Sequence, residues 1–206
     1  MLNRSTRRPR NCKLNHQFAL FLFVAFSWAS STKAADLLLI ADPAFYRYAG
    51  SEPIEGTNKT VFDYYRLDGD SLVSAVPSDS DTRTAAKRDS AARGRDLLQH
   101  LDPEVIRNSQ GSVTALRLYS DDPTLSTILL LPELGNRYAR VLGPNCLVAI
   151  PNRQTIFLFP RLAANVQSFA EQIQSLYHNH PWPVSTEIFE FVDGQLRAKG
   201  AFNENF

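Results

Sequence analysis

The sequence is poor in the features that announce a function most directly. Of its two cysteines, Cys12 and Cys146, only the second lies beyond the N-terminal stretch described below, and one thiol cannot close an internal disulfide. Stability must therefore come from a packed core. No apolar run approaches the roughly 20 residues a helix needs to cross a bilayer. The longest, Phe18 to Trp28, has eleven. There is no G-x-S-x-G elbow, no H-E-x-x-H, no P-loop and no G-x-G-x-x-G. No cofactor is expected. No internal repeat of fixed period is present.

What the chain does have begins with its first 34 residues. Arg4, Arg7, Arg8, Arg10 and Lys13 precede the run FALFLFVAFSW with no acid among them, and the small residues Ala29 to Ala35, broken only by Lys33, follow. A basic start, a short apolar centre and a small-residue cut site make a secretory signal peptide. Cleavage is expected after Ala34, with Ser31 as the competing position. The Arg7-Arg8 pair lacks the following residues of a twin-arginine signal. Cys12 stands on the wrong side of the run for a lipoprotein. The working protein is thus expected outside the cytoplasm, periplasmic or secreted, without a stable membrane anchor.

Removing that signal changes the charge. Six of the 22 basic residues lie before Ala35 and none of the 21 acids does, so the remainder is acidic by about five charges where the whole chain is +1. A nucleic-acid partner, which requires phosphate neutralisation, is not expected. Cys146, within the apolar CLVAI, reads as a small buried hydrophobe.

The remaining length suits one domain with a proper core. Residues 35–60 read as a strand or extended arm followed by a loop, and residues 61–206 as a single α+β domain. Two Asp-Gly dipeptides predict hairpins. VFDYYRL and SLVSAV flank Asp68-Gly69, while TEIFEFV and QLRAK flank Asp193-Gly194. The second register places Glu190 opposite Arg197 and puts Phe189, Phe191, Leu196 and Ala198 on one face. A helix is predicted over Thr82 to Leu101, with a further short turn at Glu104 to Asn108, and a strand over Ser112 to Ser120. Asp121-Asp122-Pro123 opens another helix, interrupted at Pro132 and stopped by Gly143-Pro144. CLVAI and TIFLF, apolar throughout, predict central strands. The helix from Leu162 to Tyr177 must pack one face on them. The expectation is a largely antiparallel sheet of hairpins packed against amphipathic helices.

Two places could carry binding chemistry. The turn Pro151-Asn152-Arg153-Gln154 joins the two central strands; it is a hairpin connection that could also present Arg153, beside Asn152, to an anionic group through its planar fork. His178 and His180, in the segment YHNHPWP, form an H-x-H pair. That pair is either a metal half-site or a helix end with His near the last carbonyls, and no third ligand is apparent nearby. The bases Arg83, Lys87, Arg88, Arg93 and Arg95, interleaved with acids, read as a salt-bridged helix face.

From Ser112 to Pro160 the order of features resembles a known family. A strand ending in Asp121-Asp122 is followed by LSTILLLPELGNRYARVLG and then by LVAIPNRQTIFLF. This is similar to the YtpQ-like family of uncharacterised bacterial proteins, with its leucine-rich helix, Pro-Glu pair and apolar hairpin around Pro-x-Arg. The family more often has an acid where this chain has Gln154. The resemblance implies an α+β fold and supplies no activity. The function expected from the sequence is therefore a non-catalytic exported module that binds a protein or small molecule. A small hydrolase built around Arg153 and a metal-binding protein using His178 and His180 are the alternatives.

Overall fold

The computed structural model describes residues 37–46, 50–69, 71–163 and 166–202. The expected export signal and the cleavage expected after Ala34 lie outside these residues. Except for Asp42, the run Leu37–Pro43 is apolar; it forms strand β1, buried at all seven positions. β1 pairs antiparallel with β3 (Thr60–Asp68), from Leu37 opposite Arg66 to Pro43 opposite Thr60. On the far side of β3 lie β2 (Glu52–Pro53) and β4 (Ser71–Ser74), which complete a four-stranded sheet. Of the stretch read as a strand or extended arm followed by a loop, Leu37–Pro43 takes the strand form and belongs to the core.

Helix α1 (Ser80–His100) covers the free edge of β1. Ser90 Oγ accepts from Leu39 N at 2.7 Å, and Ser126 Oγ accepts from Ala41 N at 2.9 Å, so hydroxyls satisfy donors that a neighbouring strand would otherwise take. α1 also lies close against the segment that carries Ser126, an approach that depends on Gly94. A Cβ there would stand 2.7 Å from the carbonyl oxygen of Thr127. Lys87, Arg88, Arg93 and Arg95 of α1 are tied to acids, as their interleaving predicts, and several reach other elements: Lys87 to Glu52, Arg93 to Asp122 and Arg95 to Glu133.

The second sheet has six strands: β5 (Glu104–Arg107), β6 (Val113–Tyr119), β7 (Cys146–Asn152), β8 (Thr155–Pro160), β9 (Glu187–Val192) and β10 (Gln195–Ala201). Their order is β10-β9-β7-β8-β6-β5, antiparallel throughout. CLVAI and TIFLF are central, as their unbroken apolarity predicts. Val148, Ile150, Ile156 and Leu158 share one core with Leu39, Ala41, Phe62 and Tyr64 of the smaller sheet. On the opposite face, Phe157 and Phe159 meet Ile173 of α3 (Ala170–His178) and Phe169 just before it. The protein is a single-domain α+β fold.

Several local expectations are corrected. Glu104–Arg107 is an edge strand, because it pairs with β6 instead of turning. The segment after Asp122 is a 3₁₀ helix, Leu125–Leu130, closed by bonds such as Leu131 N to Ile128 O; α2 (Glu133–Leu142) starts after Pro132. In the first hairpin Asp68 pairs with Ser71, so the loop begins at Gly69. The second hairpin is as expected: Asp193 and Gly194 both have positive φ, 50° and 76°. Glu190 does face Arg197, yet its ion partners are Arg161 and Lys199, and Arg197 pairs with Glu55. Cys146 is buried, which pushes its thiol up to about 12. Among the described residues no helix is long and apolar enough to cross a membrane.

Candidate functional site

The turn joining β7 to β8 is where the predicted binding residues and the smaller sheet meet. Asn152 pairs with Thr155, so Arg153 and Gln154 form a two-residue loop. Neither has positive φ, although two-residue hairpins favour it. Strand register shifts between Ala149 and Asn152, and Pro151 lies within that irregularity, a place where a strand tolerates proline. The carbonyls of Ile150 and Pro151 instead accept from Ser185 N and Val184 N.

Arg153 reaches from this turn to the smaller sheet. Its Nη2 donates to Asp42 Oδ1 at 2.8 Å and to the Tyr65 hydroxyl at 2.9 Å, and its Nε donates to Asp42 Oδ1 at 3.3 Å. Tyr65 in turn donates to Asp42 Oδ2 at 2.6 Å, closing a triangle. The guanidinium carbon stands 4.7 Å from the Tyr65 ring centre. The Asp42 side chain is 2 % exposed and that of Arg153 12 %. Burial and then the bond to Asp42 hold the Tyr65 hydroxyl well above its ordinary range, so it acts as a donor. The anionic group expected opposite Arg153 is thus supplied by the protein itself. Nη1 makes no hydrogen bond among the described residues.

A cleft of about 290 Å³ opens on this triangle. Its walls are Tyr46, Leu72, Ser74, Pro181, Trp182 and Pro183. Trp182 and Tyr46 are each about half exposed, 48 % and 52 %. Arg153 N donates to Trp182 O at 3.2 Å, which fixes the proline-flanked segment over the turn.

The remaining predicted site residues divide. Asn152 is buried and fully engaged: Nδ2 donates to Leu176 O and Oδ1 accepts from Gln154 N. It shapes the turn and is not open to a ligand. His180 lies beside the turn, its Nε2 2.9 Å from Gln154 Oε1, while its Nδ1 accepts from Trp182 N at 3.2 Å. Both ring nitrogens are committed, and burial lowers its pKa below the usual value. His178 stands at the end of α3 with its ring against Tyr177, 5.1 Å between centres. The backbone of Asn179, donating to Ser175 O, closes that helix, and His178 is the basic residue of its last turn. Among the described residues no three His, Cys, Asp or Glu side chains group to hold a metal.

Sequence reasoning missed Asp42, Tyr65, Tyr46 and Trp182. One signal was available: a carboxylate ending the apolar run Leu37 to Ala41 belongs to a buried strand, and a buried charge needs a partner. Which cation it meets, 111 positions away, has no local trace. No protein-family model, no curated protein and no solved structure matches the chain.

Proposed function

We propose that this protein is a non-catalytic exported binding module whose ligand site is the cleft over Arg153. One observation carries the reading: a buried Arg–Asp–Tyr triangle forms the floor of a cleft whose rim keeps a tryptophan and a tyrosine half exposed. Apolar walls with a few fixed polar groups are the composition of small-molecule sites. The chemistry of the floor favours binding over turnover. General acid–base catalysis needs a group that exchanges a proton near neutrality; a guanidinium does not give up its proton, Tyr65 is held in its protonated form, and both Asp42 oxygens are buried and taken by those two groups. The hydrolase alternative therefore has less support. Export is part of the proposal and rests on the N-terminal charge and apolar pattern. Membership of the YtpQ-like family is likewise proposed, on the succession of residues from Ser112 to Pro160.

The test is a thermal-shift screen of small polar and aromatic compounds on the wild type and on Trp182→Ala. A compound that raises the Tm of the wild type and leaves the variant unmoved supports the site. If every stabilising compound acts equally on both, the ligand binds elsewhere and the reading fails.

A further inference from the structure

Another cleft, of about 400 Å³, opens where the main core reaches the surface. It shares no lining residue with the Arg153 cleft. Its walls are Leu39 and Phe62 of the smaller sheet, Leu129 and Leu130 of the 3₁₀ segment, Leu196 of β10, and Ile54. All but Leu130 are buried members of the main core, and Leu130 packs against it. Close-packed interiors leave few voids larger than a water molecule, so core side chains bordering a space this large mark a core left open at one end. The lip of the cleft is the stretch from Glu52 to Glu55, and it is fixed at both ends. Glu52 and Pro53 pair with Phe62 and Val61 of β3, and Glu55 O accepts from Ala198 N of β10 at 2.8 Å. The space is therefore formed before any ligand arrives, as in most small-molecule sites.

We infer that this cleft binds a small uncharged amphipath with an aliphatic body, of the class of a medium-chain alcohol. Its volume lies within the roughly 300–1,000 Å³ of ligand pockets, and its apolar walls shelter a hydrocarbon from water. The charges at the lip are already matched. Lys87 Nζ lies 3.2 Å from Glu52 Oε2, Glu52 Oε1 accepts from the Tyr64 hydroxyl at 2.6 Å, and Arg197 Nη2 lies 3.0 Å from Glu55 Oε2. Lys87, Glu52 and Glu55 all line the cleft, one ammonium against two carboxylates. An anionic head drawn to Lys87 would come up against both carboxylates. A cationic head would have to displace Lys87 or Arg197 from its partner. A neutral hydroxyl does neither, because it both accepts, as from the ammonium, and donates, as to a carboxylate.

Calorimetric titration of the full chain with 1-octanol, 1-hexanol, octanoate and octylammonium tests this. One equivalent of octanol is expected to bind saturably, and hexanol about fifteenfold more weakly for the two methylenes it lacks. Octanoate and octylammonium are each expected to bind at least about tenfold more weakly than octanol. Two variants locate the site: Leu130→Asp on the half-buried wall, and Gln195→Trp at an exposed lining position where the fold tolerates a larger side chain. Each is expected to weaken octanol by at least about fivefold. Absence of saturable octanol binding, or octanol binding that both variants leave unchanged, overturns the site. Hexanol, octanoate or octylammonium binding as tightly as octanol overturns the ligand class. Octanol binding that is lost in Trp182→Ala and kept in both cleft variants assigns the alcohol to the Arg153 cleft and overturns this one.

Discussion

Two tight turns close hairpins of the same six-stranded sheet, and they are held in opposite ways. Asp193-Gly194 adopts two left-handed residues from its own chemistry, which matches the twist of the flanking strands. Arg153-Gln154 has no such backbone and is tied down from outside. Trp182 O receives Arg153 N, Gln154 O receives Ser120 N, Gln154 Nε2 reaches Asp121 O, and Asp42 takes the guanidinium. A turn built by local propensity must keep its residues. A turn built by tertiary contacts can carry a long charged side chain across to the smaller sheet, and the cleft lies where that side chain lands.

The two turns should therefore break differently. The largest loss is expected for Arg153→Ala, which leaves the Asp42 carboxylate buried without its cation and costs about 3–5 kcal/mol in chemical denaturation. Adding Asp42→Asn should recover part of that loss, and a strictly additive double variant would show that the two groups act independently. Gly194→Ala comes next, at about 1–3 kcal/mol, because φ is positive and a Cβ would stand 2.8 Å from Pro132 Cγ. Unlike Arg153→Ala, it should leave binding in the Arg153 cleft intact once the protein is folded.

Gln154→Ala sharpens the comparison at smaller scale. It removes the bonds to Asp121 O and His180, a loss of about 0.5–1.5 kcal/mol each at most. The smallest effect concerns pH. Burial lowers the His180 pKa in the folded protein, so the unfolded chain takes up its proton first. The stability His180 contributes is complete above its ordinary value of about 6.5 and is lost as pH falls through the lowered one. Tm should drop slightly more between pH 7.5 and pH 5.5 for the wild type than for His180→Gln, and equal drops would remove His180 from the turn's support.

How much was legible in the sequence follows the same division. The Asp193-Gly194 hairpin and the central CLVAI and TIFLF strands rest on residues close in the chain, and each appears where its pattern predicts; the helix expected from Leu162 to Tyr177 becomes an α-helix only at Ala170, after a 3₁₀ turn at Val166–Phe169. Edge strand β5 and the 3₁₀ segment at Leu125–Leu130 did not announce themselves. Glu104–Arg107 has weak alternation and owes its form to β6, and the leucines around Ile128 are packed between the sheets on all sides. Arg153 stood out because a rigid turn between buried strands presents it. Asp42, Tyr65 and Trp182 could not be joined to it, since the contacts that assemble them are long-range and leave no spacing rule.

The central claim is that the Arg153 triangle and the Trp182 rim form a ligand site and not merely a clasp between sheets. The Nε–H resonance of Arg153 and the indole N–H resonance of Trp182, followed by NMR during titration with a stabilising compound from the thermal-shift screen, test it most directly. Saturable shifts of both signals, with the Asp193-Gly194 amides unmoved, are the expected result. A compound that binds while both signals stay still would contradict the account.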